Sequence, residues 1–203
     1  MAKHITTIVI TGGPRCGKQE AMNHISQKLQ ERGYGTLVVP ELAKEMIIAG
    51  ATPGVTLEYY DFEKRLLRGI TERETHYYRT AQDLFTEDIV ILLERGILDA
   101  KAFFGSDEWT RMLEDLNIKE SSLLERYDGV IHLKSLAHGK ESEFIPDPID
   151  ISRTPLEARI ECDKVLNGWK DHRNVHVIDN STSAEQKSER AFEAVLQILP
   201  PRR

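Results

Sequence analysis

Only two cysteines occur in the 203 residues, Cys16 and Cys162. Two thiols give no disulfide framework, and such scarcity suits a reducing cytoplasm. Long hydrophobic runs are missing as well. The longest, Ile89 to Leu93, is far too short to span a bilayer, so no transmembrane segment is expected. There is no excess of positive charge: the net charge of −6 argues against a global field that would draw nucleic acid or acidic membranes. Local basic clusters remain compatible with that total. The amino-terminal stretch carries Lys3 and a short apolar run, but a glycine-rich loop follows directly, so it reads as a strand and not a signal peptide. No repeat or linker interrupts the chain. With 40% hydrophobic and 30% charged residues it has an ordinary globular balance, and residues 1–203 are expected to form one domain with a sizeable core.

The most informative stretch is Thr11-Gly12-Gly13-Pro14-Arg15-Cys16-Gly17-Lys18. Apolar Ile5, Ile8, Val9 and Ile10 precede it as a strand, and Met22, Ile25 and Leu29 follow at helical spacing. Gly12, Gly17 and Lys18 fit G-x-x-x-x-G-K, a phosphate-binding loop. Glycines let successive N–H groups converge on one anion, the helix start adds its dipole, and the lysine reaches the outer phosphates. The expected nucleotide contacts therefore run from Gly12 through Gly13, Pro14, Arg15, Cys16, Gly17 and Lys18 to Gln19 and Glu20 at the helix start. Position 19 departs from the motif. Ser or Thr there offers a hydroxyl to Mg²⁺, whereas Gln19 must fold a longer amide back to do so. Cys16 reads either as a small residue that fits the loop or as a thiol activated by Arg15 and the helix start.

Strand and helix signals alternate down the chain, as a parallel sheet covered on both faces requires. Further strands are expected at Thr36–Val39, Ile89–Leu93, Gly129–Leu133 and Val175–Ile178. The all-apolar Ile89–Leu93 run fits a strand buried on both faces. A helix is expected from Glu41 to Ala49, and one or two long helices between Leu57 and Phe85, with Phe62, Leu66, Ile70, Tyr77, Ala81 and Leu84 at helical spacing. Short helices should fill Ile97 to Arg126. Lys134 to Arg153 shows no period and reads as a loop. Thr154-Pro155-Leu156-Glu157 is a capping box with proline at the first helical position, and Ser183 with Gln186 can cap the last helix.

Several landmarks then converge: Pro40-Glu41, Glu94-Arg95-Gly96 with Asp99, Arg126-Tyr127-Asp128 before Val130 to Leu133, Asp163, Trp169 with His172, and Ile178 to Thr182. Together they resemble the ATP-binding AAA-type domain family of small P-loop proteins, which includes nicotinamide riboside kinase domains and the nucleotide-binding domain of the TRPL translocation-defect protein. The resemblance runs from about Ile5 to Leu199. It implies an α/β P-loop NTPase fold of the nucleoside-kinase type: a five-stranded parallel sheet, helices on both faces and a lid over residues 134–173.

The same resemblance implies roles. Glu94, at the carboxyl end of a central strand where ligand crevices form, would bind Mg²⁺ together with Gln19; a strand-end surface carboxylate is the plainer account. Arg95 would clamp phosphoryl oxygens, although a simple ion pair with Asp99 explains it equally well. Glu41 would accept the proton of a substrate hydroxyl, or merely favour a helix dipole. Arg153 and Arg159 would reach in from the lid, with a surface ion pair as the alternative for Arg159. Asn180 lies where related kinases contact the base. Trp169 and His172 read as a core anchor. The absence of an Asn-Lys-x-Asp guanine motif favours ATP, with GTP still open. The leading expectation is an ATP- and Mg²⁺-dependent kinase acting on a small hydroxyl-bearing acceptor. The alternative is a nucleotide-binding switch with slow or no turnover.

Overall fold

A computed structural model describes residues 3–146 and 154–201. Its centre is a sheet of five parallel strands in the order β2-β3-β1-β4-β5. The strands are β1 (Ile5–Gly12), β2 (Gly35–Val39), β3 (Ile89–Glu94), β4 (Gly129–Leu133) and β5 (Val175–Ile178). Parallel neighbours need crossovers, and the helices α1 (Lys18–Glu31), α2 (Leu42–Ile48), α3 (Tyr59–Leu84), α4 (Ser106–Leu116), α5 (Glu120–Leu124) and α6 (Pro155–Gly168) provide them, while α7 (Ala184–Ile198) follows β5. Two 3₁₀ turns, Ile97–Phe103 and Glu141–Glu143, complete the order. The expected α/β architecture is present, and the expected long helical region is a single helix, α3.

Side-chain alternation along the strands divides the core into two layers. Ile8, Ile10, Val90, Leu92, Ile131 and Leu133 point to α1 and α7, where Met22, Ile25, Leu29, Phe192 and Val195 cover them. Val9, Ile89, Ile91, Leu93 and Val130 point the other way, onto Leu67, Ile97, Trp109, Met112, Tyr127 and Trp169. The Ile89–Leu93 run thus serves both layers, which is why it carries no polar residue. Leu84 departs from expectation: it stands 74% exposed, the buried stripe of α3 having ended at Ala81.

Helix α1 stops where Gly33 takes φ 75°, its N–H bonding the Gln30 carbonyl at 2.9 Å while Tyr34 N–H returns to Leu29 at 3.0 Å. Helix α6 starts at the expected capping box: Glu157 N–H donates to Thr154 Oγ1 and Thr154 N–H to Glu157 Oε2. Within 134–173, the range expected to hold a lid, α6 is a core element, since Ala158, Cys162 and Val165 are buried and Trp169 follows at its carboxyl end.

Most of the landmark residues are fasteners between these layers. Asp128 accepts the Thr7 N–H at 2.8 Å, and Tyr127 gives its hydroxyl hydrogen to Glu74 at 2.9 Å. His172 bridges two segments, its Nδ1 3.2 Å from the Asn174 nitrogen and its Nε2 3.0 Å from the Tyr127 carbonyl oxygen. Trp169 is wholly buried and donates its indole N–H to Asp99 at 2.6 Å, which makes it the anchor the sequence suggests. Trp169→Phe should lower unfolding stability by roughly 1–3 kcal/mol, the cost of stranding a buried acceptor, as read by chemical denaturation.

Candidate functional site

The turn between β1 and α1 is shaped by what lies behind it. Gly12 has φ 150°, and a Cβ there would stand 2.2 Å from the Leu133 carbonyl oxygen; one on Gly13 would stand 2.5 Å from Cys162 Cβ. Backbone therefore approaches β4 and α6 more closely than any side chain permits. Arg15 (φ 55°) and Gly17 (φ 82°) are left-handed, and α1 begins at Lys18 with no side-chain cap. Its first N–H groups are open to a ligand.

Three consecutive carbonyls of this loop are gripped from the rear. The Ser135 hydroxyl donates to the Pro14 carbonyl (2.6 Å), the Leu136 N–H to that of Arg15 (3.3 Å), and the Lys187 ammonium to that of Cys16 (3.0 Å). In a trans peptide the C=O and the next N–H point in opposite directions. The N–H groups of Arg15, Cys16 and Gly17 are thereby turned to the opposite face of the loop, an anion cradle fixed before any anion arrives. Lys187 is 7% exposed, and its remaining contacts are the Lys134 carbonyl (2.7 Å) and Asn180 Oδ1 (2.6 Å). Burial lowers its pKa below the usual lysine value.

The loop opens into a cleft of about 580 Å³ lined by Arg15 to Glu20, Glu41, Glu94, Arg95 and one face of α3. Arg95, in the left-handed region at φ 66°, is the hub. Its Nε lies 2.9 Å from Glu41, its Nη1 3.6 Å from Asp99 and its Nη2 3.8 Å from Glu161. Burial alone would lower its pKa, but the carboxylates of Glu41, Asp99 and Glu161 outweigh that and raise it. The ion pairs are close without being aligned: Arg95 Nε and Nη1 are buried and donate no hydrogen bond. Asp99 is already engaged, accepting from Thr11 Oγ1 (2.7 Å) and Trp169 Nε1.

The structure thus brings Lys18, Glu41, Glu94 and Arg95 to one cleft, at the carboxyl edge of the sheet. The other expected site residues are placed differently. Gln19 and Glu20 line the rim, exposed, and Gln19 Nε2 donates to Asn23 along the helix at 3.3 Å. Cys16 is buried, a small side chain filling the loop, with Lys18 Nζ 3.8 Å from its sulfur. Asn180 spends its amide on the Ser135 and His138 carbonyls and on Lys187, so it holds the cradle's rear support together. Arg159 pairs with Glu141 at 2.8 Å, the plainer of its two accounts. Arg153 lies outside the described residues. Among the described residues no three acidic, histidine or cysteine side chains converge as a self-sufficient metal site. Gln19 and Glu94 on the cleft wall fit a cation held mainly by the phosphates of a ligand.

Sequence reasoning missed Lys187, Ser135 and Glu63. Glu63, on α3, is 8% exposed, and its Oε2 is buried without a partner.

A family model described as an AAA domain matches residues 7–187. No curated protein matches the chain significantly.

Lys187→Met should weaken binding of nucleoside di- and triphosphates by about tenfold or more, given roughly 1.5–3 kcal/mol for a charge-assisted hydrogen bond. Calorimetry of the two variants against the same nucleotide checks this. Burial pushes the Glu63 carboxyl up from 4.5 to about 7, against the pull of Arg95. The folded state then binds this proton more tightly than the unfolded chain, so the associated stability is present in full below pH 4.5 and is lost as pH rises through about 7. The loss amounts to about 3 kcal/mol, and Glu63→Gln should flatten that decline in denaturation curves at about pH 5 and about pH 8.

Proposed function

The chain belongs to the AAA-domain family of P-loop proteins, and from that premise we propose that it is an ATP-dependent kinase of a small hydroxyl-bearing molecule. Nucleotide binding is the family's common ground. The observation that carries the finer reading is the extent of the cleft. Beyond the loop its lining continues past the Glu41–Arg95 pair onto Leu42 of α2 and Phe62, Leu66 and Ile70 of α3, and we read this apolar stretch as a second compartment, open to an acceptor.

In this reading the cradle N–H groups and Lys18 hold the β- and γ-phosphates, and the free donors of Arg95 meet oxygens of the transferring group. The acceptor hydroxyl lies beside Glu41. Its oxygen bonds to the γ-phosphorus as the bond to the ADP oxygen breaks, and its proton passes to the Glu41 carboxylate. Glu94 and Gln19 would hold Mg²⁺, which supplies charge neutralisation at the phosphates. ATP is preferred to GTP because the chain has no Asn-Lys-x-Asp motif.

A second reading is supported by Gln19. With an exposed amide where a hydroxyl is usual, the protein could hold nucleotide through Lys18 and backbone N–H groups alone, as a switch with slow or no turnover.

ATP or ADP should raise the melting temperature, and Lys18→Ala should abolish the rise by removing roughly 1.5–3 kcal/mol of phosphate contact. ATP consumption measured across nucleosides and vitamins should show acceptor-stimulated turnover. ATP binding with no stimulated turnover would leave the switch standing and end the kinase reading. Stabilisation by GTP and GDP alone would reverse the choice of base.

A further inference from the structure

The second compartment has an unusual mixture of linings. Leu42 from α2, Phe62, Leu66 and Ile70 from α3, and Ala100 and Phe103 from the 3₁₀ turn make most of its wall apolar. Set into that wall are two buried polar groups with unused capacity: Glu63 Oε2, with no partner, and the Arg95 guanidinium, whose Nη1 donates no hydrogen bond. An unpaired polar atom in such surroundings costs free energy unless a ligand pairs it. Charge narrows the ligand further. Arg95 is faced by Glu41, Asp99 and Glu161. The next cation along the wall, Arg73, has both terminal nitrogens engaged by Glu45, with a further bond to the Pro40 carbonyl. A phosphate or carboxylate entering here would meet several carboxylates, and Lys44, the cation that α2 adds to the lining, is solvent-exposed, so its attraction is screened while low surrounding polarity amplifies the repulsion.

We propose that this compartment selects an acceptor that carries no phosphate or carboxylate, is apolar over most of its surface, and presents a hydroxyl, amide or amine hydrogen to Glu63 and an oxygen to Arg95. Glu63 is then the specificity-determining residue of the acceptor side. Because burial holds its carboxyl near neutrality, it offers either an acceptor or a donor to the ligand, while Glu41 remains paired with Arg95. The assignment of this space to an acceptor rests on the kinase reading, but the selection itself is a matter of binding and needs no turnover.

The test uses the full chain loaded with a non-hydrolysable ATP analogue and Mg²⁺. Adenosine, uridine and thiamine are titrated beside adenosine, uridine and thiamine monophosphates by calorimetry. At least one unphosphorylated member should bind about tenfold or more tightly than its monophosphate. Glu63→Leu should weaken that binding by a similar factor, whereas Glu63→Gln, which retains a carbonyl acceptor and a donor, should restore most of it. The analogue's own thermal shift in each variant reports that the protein is folded. Tighter binding of the monophosphates, affinities unchanged in Glu63→Leu, or no binding by any of the six would overturn the proposal. Selective binding without phosphoryl transfer would end the kinase reading and leave the selectivity intact.

Discussion

The direction of three peptide units governs what this molecule can hold. Pro14, Arg15 and Cys16 each surrender their carbonyl to a donor behind the loop, and the N–H groups that follow face forward as a result. Those donors come from the segment after β4 and from α7, elements remote in sequence that meet only because β4 lies beside β1. The sheet order and the anion cradle are therefore one constraint. A hydrogen-bonded carbonyl also polarises its own N–H, so the rear contacts strengthen the cradle as well as aim it. The left-handed conformation of Arg15, unfavourable for a side-chain-bearing residue, persists because its neighbours on both sides are held.

Arg95 applies the same logic with charge. A guanidinium in the interior is tolerated only when compensated, and here compensation arrives from three directions: Glu41 after β2, Asp99 one turn onward, and Glu161 from α6. Compensation without full hydrogen bonding leaves the group electrically stable yet chemically available. Asp99 ties this hub to β1 through Thr11 and to the core through Trp169, so displacement of the hub would disturb both layers.

Local signals in the chain were strong and were read correctly. Glycine spacing after an apolar strand located the loop, the capping boxes at Thr154 and Ser183 located two helix starts, and the alternation of periods gave the sheet. Glu41 and Arg95 were legible as individual candidates, because each follows a strand and neighbouring parallel strands end at a common edge. Their contact, across 53 intervening positions of chain, was not. Lys187 and Glu63 were overlooked because charged residues on helices are ordinarily solvated. Each nonetheless sits on an apolar stripe: Lys187 with Ala191, Ala194 and Val195, Glu63 with Leu67 and Ile70. A charge in register with the core face is a readable anomaly. Trp169 meeting Asp99 depends on where α6 ends, which no local pattern announces.

The rear support of the loop includes a residue on α7, and this has a consequence for biosynthesis. The loop leaves the ribosome some 170 residues ahead of Lys187, a gap translated at roughly 5–20 residues per second. A nascent chain can form β1 and α1 long before the Cys16 carbonyl finds its ammonium. Full capture of a phosphate must therefore await α7, so ligand affinity itself would report that translation has passed this helix.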